Sequence, residues 1–221
     1  MMARTPEPEL MTGDGQVAAY AAADLREINQ PALAHFKKQF PWFSGGRLLD
    51  LGSGASDVSI RFANAYPELR VLAVDGSENM LRSARELVRA AGLAERITLA
   101  RHYLPDEGLP QHAFDAIVSN SLLHHMDDPL DLWRTIRRCA KRWAPVMVMD
   151  LWRPADVEAA SALVARYAAD AVPVLRQDFF HSLCAAYTPD EIREQLRRVE
   201  FNEFQVAEVD DLHVMAWGIV S

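Results

Sequence analysis

Three groups of residues in this 221-residue chain have the types and spacing to do chemistry. The first is Asp50-Leu51-Gly52-Ser53-Gly54, where a carboxylate closes an apolar run and two glycines follow. Glycines at such a turn let the backbone bend sharply and approach a ligand with no side chain in between. The second is Asp75, at the end of the apolar run RVLAVD. A carboxylate about twenty positions beyond a glycine loop is placed to accept the two hydroxyls of a ribose. The third is the pair His124-His125, whose imidazoles titrate near neutrality and can take a proton from an incoming hydroxyl or amine.

These groups act together only if the fold brings them together, and the hydrophobic pattern says how it does. From Arg47 onward short apolar runs alternate with helix-length amphipathic segments, which predicts βαβ units and a parallel sheet. Strands are expected at RLLDL, RVLAVD, RITLARH, AFDAIVSN and APVMVMDL. Helices are expected over 56–66, from the N-cap Ser77 to Gly92, and over 129–143, the last burying Leu130, Trp133, Ile136 and Ala140. A helical stretch at about 155–187, interrupted at Pro173, reads as an inserted lid. Thr188 and Glu191 make a capping box for a helix that turns Ile192, Leu196 and Val199 inward. Two closing strands, EFQVAEVD and LHVMAWGIV, are joined too tightly for a crossover helix and pair antiparallel. Ligands of an open parallel sheet sit at the carboxyl ends of its strands near the switch point, so the loops after strands one, two and four are the expected site. All three groups fall there.

Ahead of the first strand, the first ten residues read as a disordered tail, 12–30 as an alanine-rich helix, and Asn29 and Pro31 as the start of a second helix. The organisation expected is a tail and helical cap over 1–46 and an α/β ligand-binding domain over 47–221. Half of the residues are hydrophobic, enough for one sizeable core. The formal net charge of −8 argues against a nucleic-acid partner, which needs a basic face. No apolar stretch approaches the roughly 20 residues of a membrane span, and MMARTPEPEL lacks the apolar core of a signal peptide, so a cytoplasmic protein is expected. Cys139 and Cys184 have no disulfide or zinc spacing and read as buried thiols. Homodimerisation is left open.

The loop chemistry narrows the ligand. A nicotinamide or flavin cofactor prefers GxGxxG, with pyrophosphate on the helix N-terminus. Here Asp57 stands where the third glycine would be, and its charge would repel a pyrophosphate. S-adenosylmethionine carries no phosphate, and Asp50 can attract its cationic methionine portion. LLDLGSG, VLAVDGSENML and FDAIVSNSLLHHMDDP, in this order and spacing, resemble the class I S-adenosylmethionine-dependent methyltransferases of the small-molecule branch. The resemblance covers roughly Arg47 to Pro154. It implies a Rossmann-like seven-stranded sheet in the order 3-2-1-4-5-7-6 with strand seven antiparallel. It also implies that Asp50, Gly52, Ser53 and Gly54 hold the methionine part and that Asp75 binds the ribose. Gly76, Ser77 and Met80 would border the adenine, and the backbone of Asn120 would meet the cofactor ammonium. Where the family often shows Gly-Asp after strand three, this chain has His102-Tyr103, which leaves adenine recognition to Tyr103 or Leu104.

The reaction expected is methyl transfer to a small, partly apolar molecule with release of S-adenosylhomocysteine, with His124 or His125 as the base. Two alternatives keep the cofactor. One is its cyclisation to azetidine-2-carboxylate and methylthioadenosine, with Asn120 or Tyr20 holding the amine; the other is a non-catalytic binding module. Tyr20, Phe179, Phe180, Tyr187 and Trp152 are candidate pocket walls, since an aromatic face stabilises a sulfonium. Ordinary readings stand beside these: a tight turn for the glycines, a helix N-terminal carboxylate for Asp75, packing for the aromatics, and a solvated helix face for Arg134, Arg137, Arg138, Lys141 and Arg142. A metal site built from the histidines with Asp127 and Asp128 is not expected, for want of a second ligand pair at helical spacing.

Overall fold

A computed structural model describes residues 2–7 and 26–221, the side chains of its first helix from Ala32 onward. Seven strands form one sheet: β1 (Arg47–Leu51), β2 (Arg70–Asp75), β3 (Ile97–Arg101), β4 (Ala116–Asn120), β5 (Pro145–Leu151), β6 (Gln205–Glu208) and β7 (His213–Ile219). Their order is β3-β2-β1-β4-β5-β7-β6. β7 runs antiparallel to both β5 and β6, and the other pairs are parallel. All seven residues of β5 are buried, as befits a central strand covered on both faces.

Seven helices flank the sheet among the described residues: α1 (Arg26–Gln39), α2 (Asp57–Ala65), α3 (Glu78–Ala90), α4 (Leu130–Cys139), α5 (Val157–Tyr167), α6 (Pro173–Ala185) and α7 (Pro189–Arg198). Local signals set most of their ends. Ser77 accepts a hydrogen bond from Met80 N–H at the start of α3, and beyond its end Gly92 takes φ +71°. Thr188 and Glu191 close both bonds of the capping box at α7. Cys139 and Cys184 are free and buried.

Several expected boundaries move. α1 begins at Arg26 and runs through Asn29 and Pro31, so the helix does not start at that proline. The rest of the alanine-rich segment lies outside the described residues. α4 stops at Cys139 rather than near Trp143, because Ala140 turns extended and bridges Phe114 at the foot of β4. β6 keeps only four residues of the expected eight. Residues 2–7 do not behave as the expected disordered tail. They dock on the lid region, with Met2 N–H donating to Ala155 O at 2.7 Å and Thr5 N–H to Cys184 O at 3.0 Å.

Two large apolar clusters fill the faces of the sheet. One gathers Trp133, Phe114, Ile136 and Leu196 beneath α4 and α7. The other is aromatic where α1 meets α2, with Phe36 packed edge-on to Phe62 and Phe43 at centroid distances of 5.0 and 5.3 Å. Trp133, fully buried, donates its indole N–H to Gln195 Oε1 at 2.9 Å. The arginines of α4 do more than face solvent. Arg138 donates to the carbonyls of Asp106, Glu107 and Leu109, and Arg137 to that of Val199, so they tie the β3–β4 loop and the end of α7 to this helix.

Candidate active site

The glycine loop between β1 and α2 folds back onto β2. Gly52 and Ser53 both donate their N–H to Val74 O at 2.9 Å, and Gly52 and Gly54 take positive φ of 72° and 52°. The two glycines face different surroundings. A Cβ on Gly52 would meet the Leu122 side chain at 2.8 Å, whereas one on Gly54 would meet nothing within 4 Å. The loop is closed on the side of β4 and open above Gly54.

Asp75 joins the loop to the next one. Its Oδ2 accepts from Gly54 N–H and its Oδ1 from Ser77 N–H, each at 2.8 Å. Each oxygen keeps a lone pair for a ligand hydroxyl. Burial pushes the Asp75 carboxyl above the usual range, against the pull of those two N–H groups. The hydroxyls of Ser53 and Ser56 are buried with no hydrogen-bond partner among the described residues, and such groups call for a ligand or water. Asp50 sits deeper than the resemblance implies. It is 1% exposed, accepts the Ser59 hydroxyl at 2.6 Å, and is pushed up to about 7 by burial. It underlies the loop, tied to Ser59 of α2.

On the side of β2 and β3, Gly76 is half-buried, Ser77 is occupied as the N-cap, and Met80 is buried under α3 with Leu81 and Ala84. Met80 therefore presents little surface to a ring. Tyr103 is 50% exposed, while Leu104 packs against the larger core cluster. His102 Nδ1 lies 2.6 Å from Asp106 Oδ2, which holds this loop together, and the Asp106 carboxyl is kept low by that histidine.

At the end of β4, Asn120 donates its amide to Ser121 Oγ at 3.2 Å, and a 3₁₀ turn over Leu123–His125 follows. That turn hangs on Asp150 of β5. The buried Asp150 carboxylate accepts from Leu123 N–H at 2.6 Å and contacts His124 Nδ1 at 2.5 Å. His124 is 3% exposed, and its Nε2 faces Glu7 Oε1 at 3.4 Å. His125 Nδ1 lies 3.2 Å from the same Glu7 oxygen. Glu7 is held from behind by the Ser182 hydroxyl, 3.1 and 3.3 Å from its two oxygens. Burial alone would discharge this array, but the charges correct one another. Desolvation opposes a charged His124, yet Asp150 and Glu7 raise its pKa. Desolvation likewise opposes an ionised Asp150, yet His124 holds it below the usual carboxylate range, while burial raises Glu7.

Arg4 fixes the segment that carries Glu7. It donates to Ala185 O at 2.6 Å, His124 O at 2.9 Å and Met126 O at 3.2 Å, and its guanidinium lies 4.1 Å from the Tyr187 ring centroid. Tyr187 in turn donates its hydroxyl to Met126 O at 3.1 Å. Of the other aromatics expected as walls, Phe179 and Phe180 pack in the cluster that holds α5 and α6 to Leu151. Trp152 donates its indole N–H to Asp210 O at 3.2 Å. Tyr20 lies outside the described residues. Asp127 and Asp128 are exposed, and Asp128 receives Leu130 N–H and Arg134 rather than joining the histidines.

Residues 49–144 match a family model described as a methyltransferase domain. This match, with the sheet order, supports a class I S-adenosylmethionine-dependent methyltransferase. The chain is 25% identical over 74% of its length to a ubiquinone/menaquinone biosynthesis C-methyltransferase of Geotalea uraniireducens, of which it covers 70%. It is 28% identical over 75% of its length to a demethylmenaquinone methyltransferase of Porphyromonas gingivalis, of which it covers 68%. In fold it resembles a methyltransferase from Aquifex aeolicus, with a TM-score of 0.70 and 18% identity over 96% of this chain and all of that one. Its cofactor is S-adenosylmethionine, and the open cradle at Gly54, the two serine hydroxyls left unpartnered among the described residues and the doubly anchored Asp75 fit that molecule.

Three residues of this methyltransferase escape a reading of the sequence: Arg4, Glu7 and Asp150. Asp150 leaves a trace, since a carboxylate closing the apolar run VMVMD repeats the pattern that marks Asp50 and Asp75. The other two leave none, because they meet their partners only through the fold.

Proposed function

We propose that this methyltransferase transfers the cofactor methyl to a small molecule bound between the turn after β4, the end of β5 and the segment 2–7. The observation that carries the reading is the array of half-buried Glu7 with buried His124 and Asp150 beside Leu122, the residue that closes over Gly52. It adjoins the cofactor loop and is covered by α6 and by Arg4, which favours an enclosed pocket over an open groove.

S-adenosylmethionine supplies an electrophilic methyl when bound. Asp75 would hold the ribose, the Gly52–Gly54 loop and the Asn120 backbone the methionine end, and Tyr103 with Gly76 the adenine. Asp50 would supply the negative field under the loop. The chain's further part is positioning and desolvation, worth several orders of magnitude for a bimolecular transfer. His124 is a poor candidate for a free base, since both its nitrogens face carboxylates. Proton removal from the acceptor belongs to the Glu7–His124–His125 cluster as a unit. The names of the quinone-modifying relatives add support for an acceptor that is a hydroxylated, partly apolar ring.

The test is incubation with methyl-labelled cofactor and a panel of phenols, quinols and amines, followed by mass spectrometry. Acceptor-dependent label transfer with S-adenosylhomocysteine is expected. Methylthioadenosine formed without any acceptor would replace this reading with cyclisation.

A further inference from the structure

Glu7, His124 and His125 each offer one ligand atom, and these atoms lie within 4.8 Å of one another. We propose that they bind one divalent transition-metal ion of the zinc class, which pins the N-terminal segment to the turn after β4.

The spacing carries the argument. Tetrahedral bonds of about 2.0–2.1 Å put neighbouring ligand atoms about 3.3 Å apart. Glu7 Oε1 lies 3.4 Å from His124 Nε2 and 3.2 Å from His125 Nδ1. Both are longer than the roughly 2.7–2.9 Å of a charge-assisted hydrogen bond. The contact on the far side of the same ring, His124 Nδ1 to Asp150 Oδ1, is 2.5 Å, so the longer distances are not a general looseness of this cluster.

The surroundings are those of a metal ligand set. A ligating histidine usually gives its other ring nitrogen to a carboxylate, which fixes its tautomer and orientation. Asp150 does this for His124, leaving the Nε2 lone pair aimed at Glu7. Ser182 braces the Glu7 carboxylate in the same way. A divalent ion would also balance the half-buried Glu7 and the buried Asp150 carboxylates. Two histidines and one carboxylate fill three positions of a tetrahedron and leave a fourth open. An oxygen bound there has its pKa lowered, so under the methyl-transfer reading the cluster's part in proton removal becomes the ion's. Binding itself does not depend on that reading.

The experiment uses the whole chain, stripped with a chelator and dialysed, and titrated with Co²⁺ as a spectroscopic stand-in for Zn²⁺. Visible d–d absorption of tetrahedral intensity saturating at one ion per chain is expected, with Zn²⁺ displacing it. Glu7→Gln and His125→Ala should each weaken Co²⁺ binding at least tenfold, and Asp150→Asn about 10- to 100-fold through orientation of His124. S-adenosylhomocysteine binding to the same stripped samples checks that they are folded and reports separately on the methyltransferase reading. Stripped protein that binds S-adenosylhomocysteine but shows no such absorption would overturn the proposal. So would Co²⁺ binding that Glu7→Gln and His125→Ala leave unchanged.

Discussion

The two ends of the candidate site are built in opposite ways. The cofactor end is assembled from short stretches that each fold by local rules: a glycine loop, a strand-terminal carboxylate and an N-capped helix. The end beyond β4 also draws on residues from the far end of the chain, with Arg4 reaching Ala185 across 181 positions and Ser182 reaching Glu7 across 175. Local construction tolerates change elsewhere in the protein, whereas a long-range array depends on every segment that meets in it. Variants at the two ends should therefore separate cofactor affinity from stability.

The largest effect is expected at Asp75. Asp75→Ala removes the acceptor of two backbone N–H groups and, on the proposed reading, of the ribose, on the order of 3 kcal/mol, and calorimetry should show cofactor affinity falling by about two orders of magnitude. Arg4→Met should cost about 2 kcal/mol of stability, from three hydrogen bonds donated by a charged group and a cation–π contact. A chemical denaturation curve should register this loss while the affinity for S-adenosylhomocysteine stays near that of the wild type. A large loss of affinity in Arg4→Met would break the contrast between the ends.

Asp50 gives a pH test of the cofactor end. Its carboxyl, pushed up to about 7 by burial, is largely protonated below that pH in the free protein. A cationic ligand favours the ionised form, so binding below pH 7 releases a proton, and affinity should rise with pH and level off above about 7. The slope cannot exceed about tenfold per pH unit for one proton. Asp50→Asn should flatten this profile. The smallest effect is at the cap of α3, where Ser77→Ala should lower stability by about 1 kcal/mol in a thermal melt.

The same division governs what could be read from the residues alone. The turn at Gly52 and Gly54 and the capping box at Thr188 and Glu191 are legible because spacing within a few positions dictates them, while the sheet order follows from the family resemblance that the ordered motifs carry. Met80 is legible as a buried residue on the amphipathic face of α3. The docking of residues 2–7 is illegible. Nothing local marks Arg4 or Glu7, and proline and acidic residues suggest a solvated tail until Tyr187, Ser182 and the carbonyls around them are folded into a receptor. The end of α4 was similarly hidden, because a bridge to Phe114 and not a helix-stop residue sets it.

The most direct test of the division is one set of titrations of S-adenosylhomocysteine into wild type, Asp75→Ala and Arg4→Met, beside their denaturation curves. The account predicts that Asp75→Ala loses affinity by about two orders of magnitude and that Arg4→Met keeps its affinity but unfolds at lower denaturant. Equal loss of affinity in both variants, or none in Asp75→Ala, would contradict it.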